Sequence, residues 1–453
     1  MATPRPSGAD PTAPRVTVVG AGLAGSEAAL VLSASGTAVD LFEMRPDVSS
    51  PAHRTGWFAE LVCSNSLGAD RTDSGKGLLK AELRALGSNL LSLADRVRVP
   101  AGKALAVDRE AFGRSVTEAA RARRDIRVWE VEAREIPDDP VVILACGPIP
   151  SKAISDSISA LLGGIGLYFY DAISPIVDAS SLEMDRGFFA DRYGSGSGDY
   201  LNFPMTQHEC EEFLSALLSA RVVPAREFEE ERYFESCMPV EVLARRGPET
   251  LFFGPMRPVG LRDPRTGEVP HAVVQLRKEN EAGTMYNLVG FQTKLAYPEQ
   301  ERVFSLIPGL GRAKFLRYGS VHRNSFLDAP RHLLPTMEFR NRRGLFFAGQ
   351  ITGVEGYGES IASGFVAAVS AAARAAGKEP PEFPEESMVG ALMRHITSPR
   401  RGAFQPMNAN FGLLPVPPDV RKRDRRARQA DLALSSVGEF RRRIFNFNPL
   451  CVT

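Results

Sequence analysis

Blocks of apolar and polar positions divide this chain into recognisable elements. Val16 to Gly20 (VTVVG) is a short run rich in β-branched residues and predicts a buried strand. The following LAGSEAALVLSASG has helical periodicity and stops at Gly36, and Ala38 to Glu43 (AVDLFE) predicts a second strand. Together they make a β-α-β unit of about 30 residues, the size of a nucleotide-binding half. GKGLLKAELRALGSNLLSLAD puts Leu78, Leu79, Leu83 and Leu86 on one face and predicts one amphipathic helix. Residues 109–124 read as a helix ending in a basic cluster, and Val141 to Gly147 (VVILACG) as another buried strand with Cys146 in the core.

From about residue 180 to 315 the texture changes. Glycine-serine turns (GSGSGD), an acidic helix around Glu209 to Leu218, and strand-like pieces such as HAVVQLR and MYNLVGF follow one another. A nucleotide-type pattern then returns at Gly344 to Gly364, where a strand and a glycine-rich turn lead into a helix of small residues. The expected organisation is a loose tail at 1–14, a nucleotide-binding domain in two parts (15–180 and 315–420), an inserted domain at 181–314, and a basic helical tail at 421–453.

Composition narrows the classes. The 453 residues need more than one core. A net charge of +1 means that a nucleic-acid partner requires a local basic patch. Five Cys without paired spacing make neither a disulfide framework nor a zinc site, so no metal is expected and a reducing cytoplasm fits best. No apolar run approaches the ~18 residues of a membrane span, so no membrane partner is expected.

Gly20, Gly22 and Gly25 form Gly-x-Gly-x-x-Gly, with Ala21, Leu23 and Ala24 between them, where the first strand turns into the first helix. The first glycine allows a tight turn, the second lets a pyrophosphate approach, and the third lets helix and sheet pack closely. Glu43, ending the second strand, stands where an acid accepts hydrogen bonds from a ribose. Two features favour FAD over NAD as the resident dinucleotide. The motif opens the fold, and the late strand ends in Ala348-Gly349-Gln350-Ile351, with Gly356 and Tyr357 opening the next helix. Gly147, ending a central strand, joins this group. The fold class expected is α/β, a Rossmann-like FAD-binding domain with an inserted smaller α+β domain.

GAGLAGSEAA (20–29), FAELVCSNSL (58–67), GLLKAEL (77–83), YFESCMPVE (233–241), YNLVGFQTKL (286–295), VFSLIPGL (303–310), HRNSF (322–326), LFFAGQITGVEGY (345–357) and FQPMNANFGLLP (404–415) together resemble the bacterial folate- and FAD-dependent tRNA (uracil-5-)-methyltransferases. VCSNSL, ESCMPVE and FQPMNANFGLLP are far more specific than the glycine motif. The resemblance implies a GidA-like flavoprotein fold and C5 methylation of the T-loop uridine at position 54 in the tRNA T arm. It further implies 5,10-methylenetetrahydrofolate as one-carbon donor and FAD as flavin, with NAD(P)H as reductant. A different FAD-dependent oxidoreductase, or a tRNA-modifying flavoprotein of the wobble-uridine type, is the alternative.

Uracil C5 is a weak nucleophile, and adding a thiolate to C6 turns C5 into an enolate carbon. Cys237, flanked by Glu235 and Glu241, is the candidate, and the resemblance points to the same residue. Cys63, among small polar residues, is by resemblance a second functional thiol. It either protects the one-carbon unit at the flavin or serves as acid-base partner. His322 can stack on a flat pterin, with Arg323 and Asn324 reaching its polar edge or the folate carboxylates. Asn408 could join the folate site, or its segment could be a structural turn. Arg421, Arg423, Arg425 and Arg426 belong to a basic stretch read as tRNA phosphate contacts or as a solvated face.

Overall fold

The computed structural model describes residues 15–163, 167–192, 198–223, 238–247, 249–400, 404–418 and 420–444. The expectations placed on the 1–14 tail, on Glu235 and Cys237, and on the end of the chain past 444 lie outside these residues. So do the side chains of His322 and Arg323.

Five parallel strands form the central sheet, in the order Leu345–Phe347, Val142–Leu144, Arg15–Val19, Ala38–Glu43, Ile126–Glu130. Their apolar runs suit strands covered on both faces. The first helix, Leu23–Ala34, is buried from Ala24 through Ser33. It lies against the long helix Tyr357–Ala375. The contact is close because Gly364 lacks a side chain: a Cβ there would sit 2.2 Å from the Ala24 carbonyl oxygen.

The single helix expected between Gly75 and Asp95 is two helices, Gly75–Leu86 and Asn89–Arg96. Gly87 adopts a left-handed conformation (φ 94°) that ends the first, and the Ser88 side chain accepts from the Leu91 N–H to cap the second. The apolar face is continuous across the break, so periodicity alone joins what Gly87 divides.

Buried carboxylates hold further helix starts. Glu82 accepts from the N–H groups of Met388 (2.7 Å) and Val389 (2.9 Å) at the start of Met388–Thr397. The helix Arg425–Ile444 docks on Gly75–Leu86 through Ala433, Val437 and Phe440. The basic stretch Arg421 to Gln429 therefore runs into the first turn of a packed helix.

The second body is a six-stranded sheet drawn from Ile176 to Arg317, antiparallel at each pairing. Alternation gives it two unlike faces. Leu201, Phe203, Val274, Leu276 and Leu288 face a core closed by helices Gln207–Ser219, Val240–Arg245 and Tyr297–Phe304. Tyr200, Asn202, Gln275, Arg277 and Asn287 share the opposite face, where the register pairs Tyr200 with Arg277, Asn202 with Gln275, and Arg277 with Asn287. That polar face is turned toward the nucleotide-binding body: the Tyr200 hydroxyl donates to the Ala101 carbonyl at 3.0 Å. Among the described residues no helix is long and apolar enough to cross a membrane.

Burial pushes the Glu82 carboxyl up from its ordinary 4.5 to about 8, against the downward pull of the Met388 and Val389 N–H groups. The folded state thus favours protonated Glu82. Its contribution to stability is complete below pH 4.5, declines above that, and is lost as pH passes about 8. Urea unfolding across this window should show stability falling by up to about 1.4 kcal/mol per pH unit through this group. Glu82→Gln should flatten that fall, and an unchanged slope in the variant would contradict the assignment.

Candidate active site

A cleft crosses the C-terminal ends of the five parallel strands. It runs from Val131 and Ala133, beyond one edge strand, past Glu43, Gly20 and Gly22, to Gly349, Gln350 and Tyr357, beyond the other. This is where an open α/β sheet binds its ligand.

The glycine turn is built for close approach. Gly20 has φ 96°, and a Cβ there would lie 2.5 Å from the Ala145 carbonyl oxygen. A Cβ on Gly25 would lie 1.8 Å from the Gly20 oxygen. Gly22 differs: its backbone is extended, and a Cβ would meet no atom within 4 Å. The open space at Gly22 faces the start of a helix whose first N–H groups have no partner within the helix. That combination fits a diphosphate.

Glu43 accepts from the Ala21 N–H at 2.8 Å and from Arg45 Nε at 2.8 Å. Burial raises its pKa, but the Arg45 hydrogen bond and charge outweigh this and hold the carboxyl below the usual range. Arg45 is only 2% exposed and also reaches the Trp57 carbonyl at 2.9 Å and Glu60 at 3.4 Å. Glu43 is thus a fixed anion at the nucleoside end, able to accept from ribose hydroxyls. Glu43 is visible in the sequence, whereas nothing there signals that Arg45 turns inward to pair with it.

At the opposite end the segment Cys63-Ser64-Asn65 is pinned. The Tyr357 hydroxyl oxygen accepts from the N–H groups of Cys63 (2.7 Å) and Ser64 (3.2 Å). Burial pushes the Tyr357 phenol well above its usual range, so it is neutral near pH 7. With its oxygen accepting two N–H bonds, its own proton is available to a group in the cleft. Cys63 Sγ lies 3.8 Å from the Ala172 carbonyl, and Ala172 pairs with Val321, the neighbour of His322. The strand Ser320–Phe326 meets the cleft wall, where the Ser325 N–H donates to the Pro148 carbonyl at 2.7 Å. Arg109 binds Glu279 Oε2 through Nε (3.0 Å) and Nη2 (2.9 Å). The charge on Arg109 pulls the Tyr357 phenol down, against the larger upward push of burial.

The structure therefore gathers Gly20, Gly22, Leu23, Ala24, Glu43, Gly147, Gly349, Gln350 and Tyr357 on one cleft. Ala21, Gly25, Ile351 and Gly356 support it from behind, and Cys63 stands at its Tyr357 end. Cys146, expected in the core, lies past its strand and lines the cleft, with burial pushing its thiol up to about 12. Other candidates do not line the cleft. Glu241 is fully buried and accepts from the Thr293 hydroxyl (2.9 Å) and the Lys294 N–H (2.8 Å). Asn324 is 2% exposed. The segment carrying Asn408 is tied to the helix Tyr357–Ala375 by the Ala409 N–H, which donates to Glu359 at 3.0 Å. Arg421 and Arg423 pair with Asp424, and Arg426 lies 5.8 Å from the Phe411 ring centre. Arg425 opens the docked helix.

The parallel sheet, the glycine turn and the cleft across its strand ends define a dinucleotide-binding protein with a GidA-like fold. The family model described as Glucose inhibited division protein A matches residues 15–379. GidA of Aquifex aeolicus superposes with a TM-score of 0.71 at 19% identity, over 95% of this chain and 73% of that one. A Halalkalibacterium halodurans protein named "Methylenetetrahydrofolate--tRNA-(uracil-5-)-methyltransferase TrmFO" is 52% identical over 430 residues, 94% of this chain and 98% of its own. The protein of that name from Heliobacterium modesticaldum is 53% identical over 427 residues, covering 94% and 97%. The chain belongs to the TrmFO family.

Because Gly22 is extended and unhindered, Gly22→Asp should fold with stability within about 0.5 kcal/mol of wild type, as measured by urea unfolding of the apoprotein. The added carboxylate would occupy the diphosphate's space, so the purified variant should be nearly colourless. A variant with full flavin absorbance would place the diphosphate elsewhere.

Proposed function

We propose that this protein methylates C5 of the T-loop uridine at position 54 of tRNA, with 5,10-methylenetetrahydrofolate as one-carbon donor, FAD as flavin and NAD(P)H as reductant. The observation that carries the reading is Cys63, fixed at the cleft by Tyr357. The chain around it is about half identical to named TrmFO proteins over nearly its whole length.

Each group has a part in this reading. The amide-rich helix start at Gly22 holds the diphosphate, and Glu43 holds the ribose. FAD, when bound in this cleft, would supply the reducing electrons. The Cys237 thiolate forms a bond to C6 of the target uracil, which makes C5 nucleophilic. As C5 takes the methylene carbon, the bond from that carbon to the donor nitrogen breaks and C5 loses its proton; a hydride equivalent, which reduced FAD would supply, turns the methylene into methyl, and departure of the thiolate from C6 restores the ring. Tyr357 Oη holds a proton at the cleft, and Cys63 is the second thiol at the same end. His322, Arg323 and Asn324 lie on the strand paired with the one that Cys63 touches and are assigned to folate, and Asn408 is a further candidate there. Glu235 and Glu241 flank the nucleophile in sequence, and Glu241 holds the Thr293-Lys294 segment through the Thr293 hydroxyl and the Lys294 N–H. The basic residues Arg421, Arg423, Arg425 and Arg426 are assigned to tRNA phosphates.

The test is tRNA lacking the modification, incubated with enzyme, NADPH and labelled methylenetetrahydrofolate, or with labelled S-adenosylmethionine. Label should enter uridine only from the folate; transfer from S-adenosylmethionine would overturn the reading. Cys237→Ala and Cys63→Ala should each lower methylation by at least about 100-fold while retaining FAD. Changing Arg421, Arg423, Arg425 and Arg426 to Gln should reduce the salt slope of tRNA binding by about one for each phosphate no longer neutralised. An unchanged slope would remove the basic stretch from the tRNA surface.

A further inference from the structure

The polar face of the inserted sheet reaches the segment that carries Cys63 through the buried side chain of Arg277. Arg277 stands on the strand Ala272–Lys278 and is 6% exposed. Its Nε donates to Asn65 Oδ1 at 2.9 Å and its Nη2 to Ser64 Oγ at 2.7 Å. Asn65 is fully buried, and its Nδ2 donates to the carbonyls of Val107 and Lys278, each at 2.9 Å. Both ends of the Asn65 amide are thus tied, to the strand that carries Arg277 and to the body beneath it. The Tyr357 hydroxyl holds the Cys63 and Ser64 N–H groups from the other side.

We propose that Arg277 is a positioning residue for Cys63, the element through which the inserted sheet sets the place of that thiol at the cleft. The proposal rests on the reading of Cys63 as a functional thiol. A guanidinium suits the task because its donors are held in one rigid plane, so contacting two successive residues fixes direction as well as distance. A lysine offers a single flexible ammonium and can hold one of the two partners. Burial strengthens the effect, because loss of the guanidinium leaves Asn65 Oδ1 without its donor in a site with little water, whereas Ser64 Oγ keeps the Ser66 N–H at 3.1 Å. The thiol hydrogen bonds weakly, to the Ala172 carbonyl at 3.8 Å, so its position follows chiefly from the backbone on which it stands.

Flavin reduction by NADPH does not require Cys63, whereas methyl transfer does. The two half-reactions therefore separate positioning from general damage. In Arg277→Met, methylation per bound flavin should fall by about 10- to 100-fold, the scale expected from a displacement near 1 Å. The KM for tRNA and the rate of flavin reduction should stay within about twofold. Arg277→Lys should recover part of the loss, and Ser64→Ala should show a smaller loss of the same kind. These two variants carry the test if the methionine variant does not fold. Unchanged methylation per flavin, or parallel loss of both half-reactions, would overturn the proposal. Cys63→Ala measured alongside separates the two levels. Full methylation in that variant removes the reading of Cys63 and this proposal together. Loss in that variant with normal turnover in the Arg277 variants removes this proposal alone.

Discussion

Three close backbone approaches around one turn hold the nucleotide-binding body in shape. Gly20 lies against Ala145, Gly25 against Gly20, and Gly364 against Ala24, each at a distance that a Cβ would prevent. These approaches press the first helix onto the sheet and onto the helix that begins at Tyr357. Both helices then open at the strand ends, and the unpaired N–H groups of the first face the empty space at Gly22. Small residues at these points position the cleft, and the cleft in turn determines where the flavin chemistry can occur.

The second constraint is polar. A sheet with one apolar and one hydrophilic face normally turns the latter to water. Here Asn202, Gln275, Arg277 and Asn287 are all buried. Such a face is tolerated when most of its groups find partners; among the described residues Asn287 Nδ2 is an exception. Asn202 and Gln275 bond to each other at 2.8 Å, Arg277 takes Ser64 and Asn65, and Glu279 takes Arg109. The bodies are therefore joined by directional bonds, and those bonds converge on the residues around Cys63. Apolar packing could hold the bodies together, but it would not fix the thiol so narrowly.

The first β-α-β unit and its glycine turn are legible in the sequence because their signals are local: period, β-branched runs and turn residues within about 30 positions. Residues 75–95 read as one helix because a continuous apolar face masks the left-handed Gly87. Cys146 looks like core because the apolar run extends past the last paired residue, Leu144. Arg45, Arg109 and Arg277 are not legible as parts of the site. An arginine turns inward only when the fold brings it a partner, and the partners of Arg109 and Arg277 lie 170 and 212 residues away. The FQPMNANF segment can be read as ligand contact or as structure. Its backbone lies on two helix starts: the Ala409 N–H binds Glu359, and a Cβ on Gly75 would sit 2.4 Å from the Asn410 Cα.

The most direct measurement is a crystal structure of the protein saturated with FAD. The account predicts the diphosphate against the amides that follow Gly22, the ribose at Glu43, and the isoalloxazine at the Tyr357 end, close enough to Cys63 for a one-carbon unit to bridge the gap. A flavin bound with its ring at the Ala133 end, or an empty glycine turn at saturating FAD, would contradict it.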